Sequence, residues 1–320
     1  MRVFILIVSL FFLLFSCQDD NKLEAEISKI DINVNIERFD IAFAEAEPTN
    51  LPALKANFPF MFPRQYDDAF WYNKMQDTLQ RQLSEETIKK FPALKTETKD
   101  IKKMFQHLKY YFPTFKTPRI ITTTSDVDYK NKVIVTDTIA IVELDTYLGN
   151  DHFFYEGLQS YIVANMTPDQ IVVDLANAYA EKYVLNSRRK HLLDEMVYFG
   201  KLLYIKDKVI PFISDAQKIG YTQQQLDWAF ANQEQIWKYF IQKELLYSTD
   251  SKLPNRFINP APFSKFYLAE IDNESPGKIG QFIGWQIVKA YMNNNDLTLN
   301  ELLNTPAQTI FNKSYYKPRE

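Results

Sequence analysis

The fold class follows from one stretch of the sequence, Thr138-Ile139-Ala140-Ile141-Val142-Glu143-Leu144. A short, nearly continuous apolar run of this kind is typical of a strand that is buried on both faces of a sheet. Two shorter segments rich in β-branched residues precede it at 119–123 and 132–136, and the following 145–149 predicts a loop. We therefore expect a small sheet in the middle third of the chain.

Helical patterns occupy most of the remaining sequence. The segment 97–112, for example, places Ile101, Met104 and Leu108 on one helical face. An alternation of apolar and polar residues predicts a further strand over 30–36, whereas 58–63 and 253–262 are expected to be irregular. The chain should thus fold as one α+β domain over 30–320, predominantly helical with a small central sheet. The predicted helices cover 41–46, 67–91, 97–112, 167–185, 189–205, 222–246 and 276–292, with two short helices after Leu297.

Composition narrows the classes of function. Apolar residues make up 46% of the chain and charged residues 24%, which are ordinary values for a globular domain. With a formal net charge of −3, the chain lacks the basic character expected of a nucleic-acid-binding protein. Only seven glycines are present, and they form no glycine-rich phosphate loop. We therefore expect no nucleic-acid partner and no nucleotide cofactor.

The N-terminus carries the features of a secretory signal peptide. One arginine precedes an apolar run over 3–15, which is too short for a bilayer that needs about 20 apolar residues. The run ends in Leu14-Phe15-Ser16-Cys17, and Cys17 is the only cysteine in the chain. This arrangement matches a bacterial lipobox, so we expect a signal peptide over 1–16, fatty acids such as palmitate on Cys17, and a polar tether over 17–29. The alternatives are an uncleaved signal anchor and a chance cysteine.

Motifs of the common hydrolases are missing from the sequence. Neither His-Glu-x-x-His nor Gly-x-Ser-x-Gly occurs. The three histidines, His107, His152 and His191, lie in different segments without paired spacing. Lipidation of Cys17 would leave no thiol for a disulfide, a metal site or a nucleophile. We therefore expect no enzyme: no catalytic residue, no metal ion, no cofactor and no small-molecule substrate.

Four carboxylates form a candidate acidic cluster. Asp145 follows the central strand, two residues after Glu143, whereas Asp174 interrupts an apolar helix face and Asp194 and Glu195 lie on the next helix. Carboxylates from a strand end and two adjacent helices can converge into an acid–base pair or a cation site. The alternative is a structural role, in which Asp174 and Asp194 cap or hydrogen-bond nearby backbone and Glu195 pairs with a lysine or arginine. We favour this alternative, because sequence spacing alone does not determine whether the carboxylates meet.

Five segments spread along the chain carry a family resemblance. They are Ile-Glu-Arg-Phe-Asp at 36–40, the aromatic and proline-bracketed 58–63, Leu-Asp-Thr-Tyr-Leu-Gly at 144–149, Leu-Asp-Glu-Met-Val-Tyr-Phe-Gly-Lys at 193–201, and 280–291, which contains two glycines four residues apart. In this order and spacing they resemble the GldB gliding-motility lipoproteins of Bacteroidota. The resemblance implies a membrane-anchored, non-enzymatic component of the gliding machinery and of the type IX secretion system linked to it. Its partners would be other proteins of that apparatus.

Two other classes are alternatives. A surface lipoprotein that binds glycans for nutrient uptake would share the anchor, although such chains are longer and are built on helical repeats. The strand, the loop and the two acidic helices are also similar to the core of zincin-like peptidases, with Val173-Asp174-Leu175 near the place of the paired histidines. A degenerate zincin-like scaffold is therefore an alternative for the fold, and fold alone does not fix function. The missing motifs disfavour an enzyme acting on peptides or cell wall.

The residues after the lipobox, Gln18-Asp19-Asp20-Asn21, bear on the location of the anchor. A short acidic run at this place resembles the signal that sends lipoproteins of Bacteroidota to the outer membrane. We therefore expect an outer-membrane anchor rather than an inner-membrane one, and exposure on the cell surface stays open. The alternative is that this run is an ordinary solvated linker.

Lipidation of Cys17 is directly testable. Replacing the thiol in Cys17→Ser removes the acceptor for fatty acid, so we expect the variant to carry no acyl chain and to leave the membrane fraction. Growth with a radioactive fatty acid, followed by fractionation, measures both effects. Label in the variant at the wild-type level would contradict the prediction.

Overall fold

The computed structural model describes residues 22–184 and 190–318, and it is 58% helical with one small mixed sheet. The predicted α+β class is therefore confirmed. The strands are β1 (Ile36–Arg38), β2 (Arg119–Thr123), β3 (Val133–Val135) and β4 (Ile139–Glu143). The helices before and just after the sheet are α1 (Phe39–Ala44), α2 (Leu51–Asn57), α3 (Asp68–Gln76), α4 (Thr78–Lys90), α5 (Lys95–Tyr111) and α6 (Ser160–Val163). The later helices are α7 (Ile171–Tyr183), α8 (Leu192–Val209), α9 (Asp215–Ile219), α10 (Gln223–Ala231), α11 (Gln233–Gln242), α12 (Leu253–Phe257), α13 (Ala269–Asp272), α14 (Ile279–Asn294), α15 (Leu299–Asn304) and α16 (Ala307–Ser314).

The sheet has the order β1-β2-β4-β3, with β1, β2 and β4 parallel and β3 antiparallel at one edge. Successive residues of β2 enter different cores, because side chains alternate across a strand. Ile120 packs with α5 and α7, whereas Ile121 packs with an aromatic cluster around Phe39 and Trp71 on the opposite face. Both isoleucines are buried, as expected for strands covered on both faces.

The strand predicted over 30–36 is mostly wrong, because only Ile36 lies in β1. The ladder with β2 begins at the pair Ile36–Ile120 and ends at Arg38–Thr122. Ile32 is nevertheless buried, and Val34 packs partly against the same core. The alternating pattern therefore reports contact with the core and not a strand of that length.

Three helical predictions also need correction. The segment 67–91 forms two helices, since Asp77 ends α3 and caps α4 by accepting a 2.7 Å hydrogen bond from the backbone N–H of Gln80. The segment 222–246 likewise divides at Asn232. The region 253–262 is not entirely irregular, because α12 begins there with Pro254 in its first turn, where proline is tolerated. The two short helices predicted after Leu297 are present as α15 and α16.

The chain packs against the domain before residue 30. Residues 22–27 are helical, and the side chain of Ile27 is 1% exposed. The Gln106 amide nitrogen donates to the carbonyl oxygens of Ser28 and Ile30 at 3.0 and 2.9 Å. The folded part therefore starts inside the segment predicted as a tether, whereas the signal peptide and Cys17 lie outside the described residues. Among the helices described, none is long and apolar enough to cross a membrane.

Helices α8 and α14 cross with their backbones in contact. A Cβ added to Gly284 would overlap the carbonyl oxygen of Met196, and one added to Gly200 would overlap the carbonyl oxygen of Gly284. Gly280, four residues before Gly284, faces Ile258 and the backbone of Phe257. The glycine pair of 280–284 thus serves close helix packing within the domain. Around this crossing lies the second of two large cores, and α8 contributes residues to both.

Adding one methyl group at Gly284 tests whether the backbones of α8 and α14 are in contact. We expect Gly284→Ala to lower the free energy of unfolding by about 3 kcal/mol, because both neighbouring atoms belong to backbone that cannot rotate away. Asn293→Ala, at an exposed position of the same helix, should change it by less than about 0.5 kcal/mol. Chemical denaturation of both variants makes the comparison. Equal stability of the two would show that the backbones are not in contact.

Candidate functional site

Polar side chains gather where the two central parallel strands end. Thr123 ends β2 and Glu143 ends β4, and the two residues are direct neighbours in the ladder. A short 3-10 turn (Leu144–Thr146) follows β4 and carries Asp145. The carboxyl ends of parallel strands are the usual place for ligands in open α/β sheets, so this edge is the candidate site.

Asp145 holds the loop that follows β2. Its carboxylate accepts hydrogen bonds from the backbone N–H groups of Ser125, at 3.0 and 3.1 Å, and of Val127, at 2.8 Å. Asp126 and Val127 both have positive φ angles, +58° and +61°, a conformation that is costly for a β-branched residue. Burial raises the pKa of Asp145 to about 6, although the backbone donors oppose this rise. Asp145 therefore stabilises a strained turn.

Two tyrosines of the loop after β4 form hydrogen bonds with Asp145 and Asp174. The Tyr155 hydroxyl donates to the carbonyl oxygen of Asp145 at 2.7 Å and accepts from the Leu148 N–H at 2.8 Å. The buried Tyr147 hydroxyl donates to the Asp174 carboxylate at 2.9 Å. Asp174 also forms an ion pair with Lys132. Tyr155 therefore holds the backbone of Asp145, and Tyr147 contacts Asp174. Both tyrosines follow Asp145 in the loop after β4.

Asp194 and Glu195 lie on α8. Asp194 accepts from the backbone N–H groups of Lys190 and His191, at 3.0 and 3.1 Å, and so caps the start of that helix, as one alternative from the sequence proposed. In the part of the chain that the structure describes, no hydrogen bond joins Asp145, Asp174 and Asp194 to one another. Within 22–184 and 190–318, no group of three or more His, Cys, Asp or Glu side chains is arranged to hold a metal ion.

Glu143 borders a cavity of about 270 Å³ between the sheet and the aromatic cluster. Its side chain is 7% exposed, and burial raises its pKa to about 7, partly opposed by a hydrogen bond from Ser125. Three buried atoms of residues lining this cavity have no hydrogen-bond partner within the described ranges: Glu143 Oε2, Gln80 Oε1 and Trp71 Nε1. Buried polar atoms normally find partners, so these three mark a polar spot inside an aromatic pocket.

The aromatic wall of this cavity comes from segments near the N-terminus. Phe39 and Phe43 of α1, Phe60 and Met61 from the segment 58–63, and Trp71 of α3 line it. Phe39 and Phe62 meet edge to face with ring centroids 5.7 Å apart, and Phe62 meets Trp71 in the same way at 4.8 Å. Phe62 is itself buried, so the segment 58–63 packs against the rest of the domain.

Sequence reasoning placed Glu143 at the strand end but did not select it as a site residue. The available signal was the single carboxylate inside the apolar run 138–144, which predicts a buried charge. A carboxyl group with a pKa of about 7 can hold or release a proton near neutral pH. This arrangement can therefore exchange a proton or accept a hydrogen bond from a small group in the cavity.

Comparison with known proteins gives one result. The family model described as gliding motility protein GldB matches residues 20–318, nearly the whole chain. No curated protein and no solved structure matches significantly.

The pKa of Glu143 predicts how stability depends on pH. The folded state keeps this carboxyl protonated up to about pH 7, whereas in the unfolded chain it ionises near 4.5. Its contribution to stability is therefore complete below pH 4.5 and is lost as the pH rises through 7. Glu143→Gln is neutral at every pH, so we expect its stability relative to wild type to rise by about 1–2 kcal/mol between pH 5 and 8, allowing for partial solvent screening.

Denaturant titrations at the two pH values measure this difference. Glu85→Gln, which alters an exposed carboxylate on α4, serves as the control and should show no comparable change. If Glu143→Gln follows the wild-type pH dependence throughout, Glu143 ionises freely in the folded state and the assignment fails.

Proposed function

Because the chain belongs to the family of gliding motility protein GldB, we propose that it is a lipid-anchored component of the cell envelope on which gliding depends. The extent of the family match, from residue 20 to residue 318, carries this proposal. In this proposal Cys17 holds the lipid, residues 1–16 are the signal peptide, and the anchor lies in the outer membrane.

The finer proposal is that the protein acts through contacts with other proteins of the gliding and type IX secretion apparatus. Support comes from a set of exposed side chains that we call the apolar patch: Tyr66, Phe70 and Leu79. They are 40%, 38% and 64% exposed, and the rings of Tyr66 and Phe70 stack with centroids 4.2 Å apart. Clustered apolar side chains on a surface commonly mark interaction sites.

The apolar patch borders a broad groove. Phe70 and Leu79 line one side of a depression of about 780 Å³, and Val127, Phe154 and Leu158 are also among its lining residues. A salt bridge of 2.9 Å between Lys74 and Asp126 lies within the groove and supplies polar groups. Mixed apolar and charged surfaces of this kind suit non-obligate contacts between proteins.

Complementation of a deletion strain tests the function and the surface together. We expect a strain without this protein not to spread on rich medium and the wild-type gene to restore spreading. The double variant Phe70→Ser/Leu79→Ser should be anchored and folded but fail to restore spreading, because it removes apolar contact area. The control Ile241→Ser removes an equally exposed apolar side chain, 48% exposed, outside the apolar patch and should restore spreading.

The outcomes separate the proposals. Normal spreading of the deletion strain on rich medium, with a growth defect only on polysaccharides, would replace the gliding role by glycan uptake. Restoration by the double variant would keep the gliding role but remove the apolar patch from it. Membrane fractionation of the same strains locates the anchor, and recovery in the inner membrane alone would contradict the outer-membrane assignment.

A further inference from the structure

Two lysines from distant parts of the chain meet at the end of one short helix. Lys206 of α8 donates to the carbonyl oxygen of Lys218 at 2.5 Å, and Lys278, which precedes α14, donates to the carbonyl oxygen of Ile219. These consecutive carbonyls belong to the last residues of α9, which Gly220 ends with a φ of +70°. The ammonium groups therefore lie close together.

Neither of these lysines contacts a carboxylate directly in the described parts of the chain. Asp174, Asp207 and Glu181 lie within electrostatic range of Lys206, and Asp174 also attracts Lys278. The neighbouring Lys218 contacts both Asp207 and Asp215 at 3.0 Å, and Lys289 contacts the same two carboxylates. Asp174 is near but already pairs with Lys132. The ammonium groups of Lys206 and Lys278 are therefore compensated only by carboxylates beyond ion-pair distance.

Burial destabilises the charged forms of these two lysines. Lys206 is only 6% exposed, and burial lowers the pKa of its ammonium group to about 8. Burial and the nearby Lys206 lower the pKa of Lys278 to about 7. An isolated ammonium group in such surroundings is unfavourable unless a negative group compensates it.

Helix capping alone does not account for the pair. The carboxyl end of a helix carries at most about half a negative charge, which one cation more than balances. Helix α9 has only five residues. Each ammonium group has three N–H donors, and the hydrogen bonds to Lys218 and Ile219 use one on each. Donors and charge therefore remain available to a ligand.

The two lysines also border a cavity rich in side-chain amides. Its volume is about 290 Å³, and Asn165, Asn177, Gln217, Asn259 and Gln281 line it together with Asp174. A second cavity of about 530 Å³ shares Asn165, Gly220, Pro260 and Lys278 with it and is lined by Tyr129, Tyr161 and Tyr221. Each of the amide nitrogens in the first cavity donates one hydrogen bond within the protein and has a second N–H that can serve a ligand. The second cavity offers aromatic faces.

We propose that this double cavity binds an organic molecule through a terminal oxyanion, a carboxylate or phosphate group held between the ammonium groups of Lys206 and Lys278. Charge-assisted hydrogen bonds from two lysines are a common way of holding such groups. The remainder of the ligand lies in the larger cavity against the tyrosine rings. Acidic sugars and phosphate esters share this chemistry. The larger cavity shares Tyr129 with the groove beside the apolar patch, whereas none of the three side chains of the apolar patch lines either cavity.

Binding to the full-length protein in detergent tests the proposal. The probes are glucuronate, glucose 6-phosphate and, as the uncharged match, glucose, each measured by isothermal titration calorimetry up to 10 mM. We expect at least one acidic probe to bind and glucose to bind at least tenfold more weakly. A preference between the two acidic probes distinguishes the carboxylate source from the phosphate source.

Variants then assign the binding to the lysines. Lys278→Gln should weaken binding of the acidic probe at least tenfold, whereas Lys278→Arg should change it by less than about fivefold because the charge is kept. Asn165→Asp places a competing carboxylate in the shared wall and should also weaken binding, which provides a second variant should Lys278→Gln fold poorly. Lys252→Gln, at an exposed position, is the control and should bind as wild type. Absence of binding by every probe, or equal binding by Lys278→Gln and Asn165→Asp, would overturn the proposal.

Discussion

The backbone contact between α8 and α14 is the constraint on which the rest of the structure depends. Gly200 and Gly284 permit it because neither position has room for a Cβ. Since α8 contributes Leu202 and Ile205 to the core beside the sheet and Met196 to the other core, its position fixes the relation between the two. Lys206 and the residue before α14, Lys278, reach the same helix end only because these helices cross so closely.

Groups with strongly shifted pKa values lie in two separate parts of the interior. Carboxyl groups gather at the strand ends, where Glu143 and Asp145 have raised pKa values. Ammonium groups gather at the end of α9, where lysine pKa values are lowered. The ion pair of Lys132 and Asp174 links the two regions, and Tyr147 donates to its carboxylate. Both regions hold charge at a cost in stability, and such costs are concentrated where proteins bind or react.

The sequence predicts the fold class and β2 well because local pattern determines them: a β-branched segment that is buried on both faces can form little else. The sequence overestimates the length of the first strand. Alternation alone does not show which residues pair with β2, and the ladder between β1 and β2 begins only at Ile36. The glycines of 280–284 indicate close packing, but not that Gly200 would be the partner. The carboxylates Asp145 and Asp174 can be named from the sequence, whereas the backbone donors of 125–127 and the lysine pair depend on long-range contacts that one sequence does not reveal.

If Cys17 carries a lipid, the early start of the folded chain limits how far the domain can move from the membrane. Four residues lie between Cys17 and residue 22, where the described helix begins, and five extended steps along the chain span at most about 18 Å. A domain of this size has a radius of gyration of roughly 19 Å. The linker between the lipid and the domain is then shorter than the radius of the domain. The protein would then search for partners by lateral diffusion in the plane of one leaflet, with little freedom to extend across the envelope.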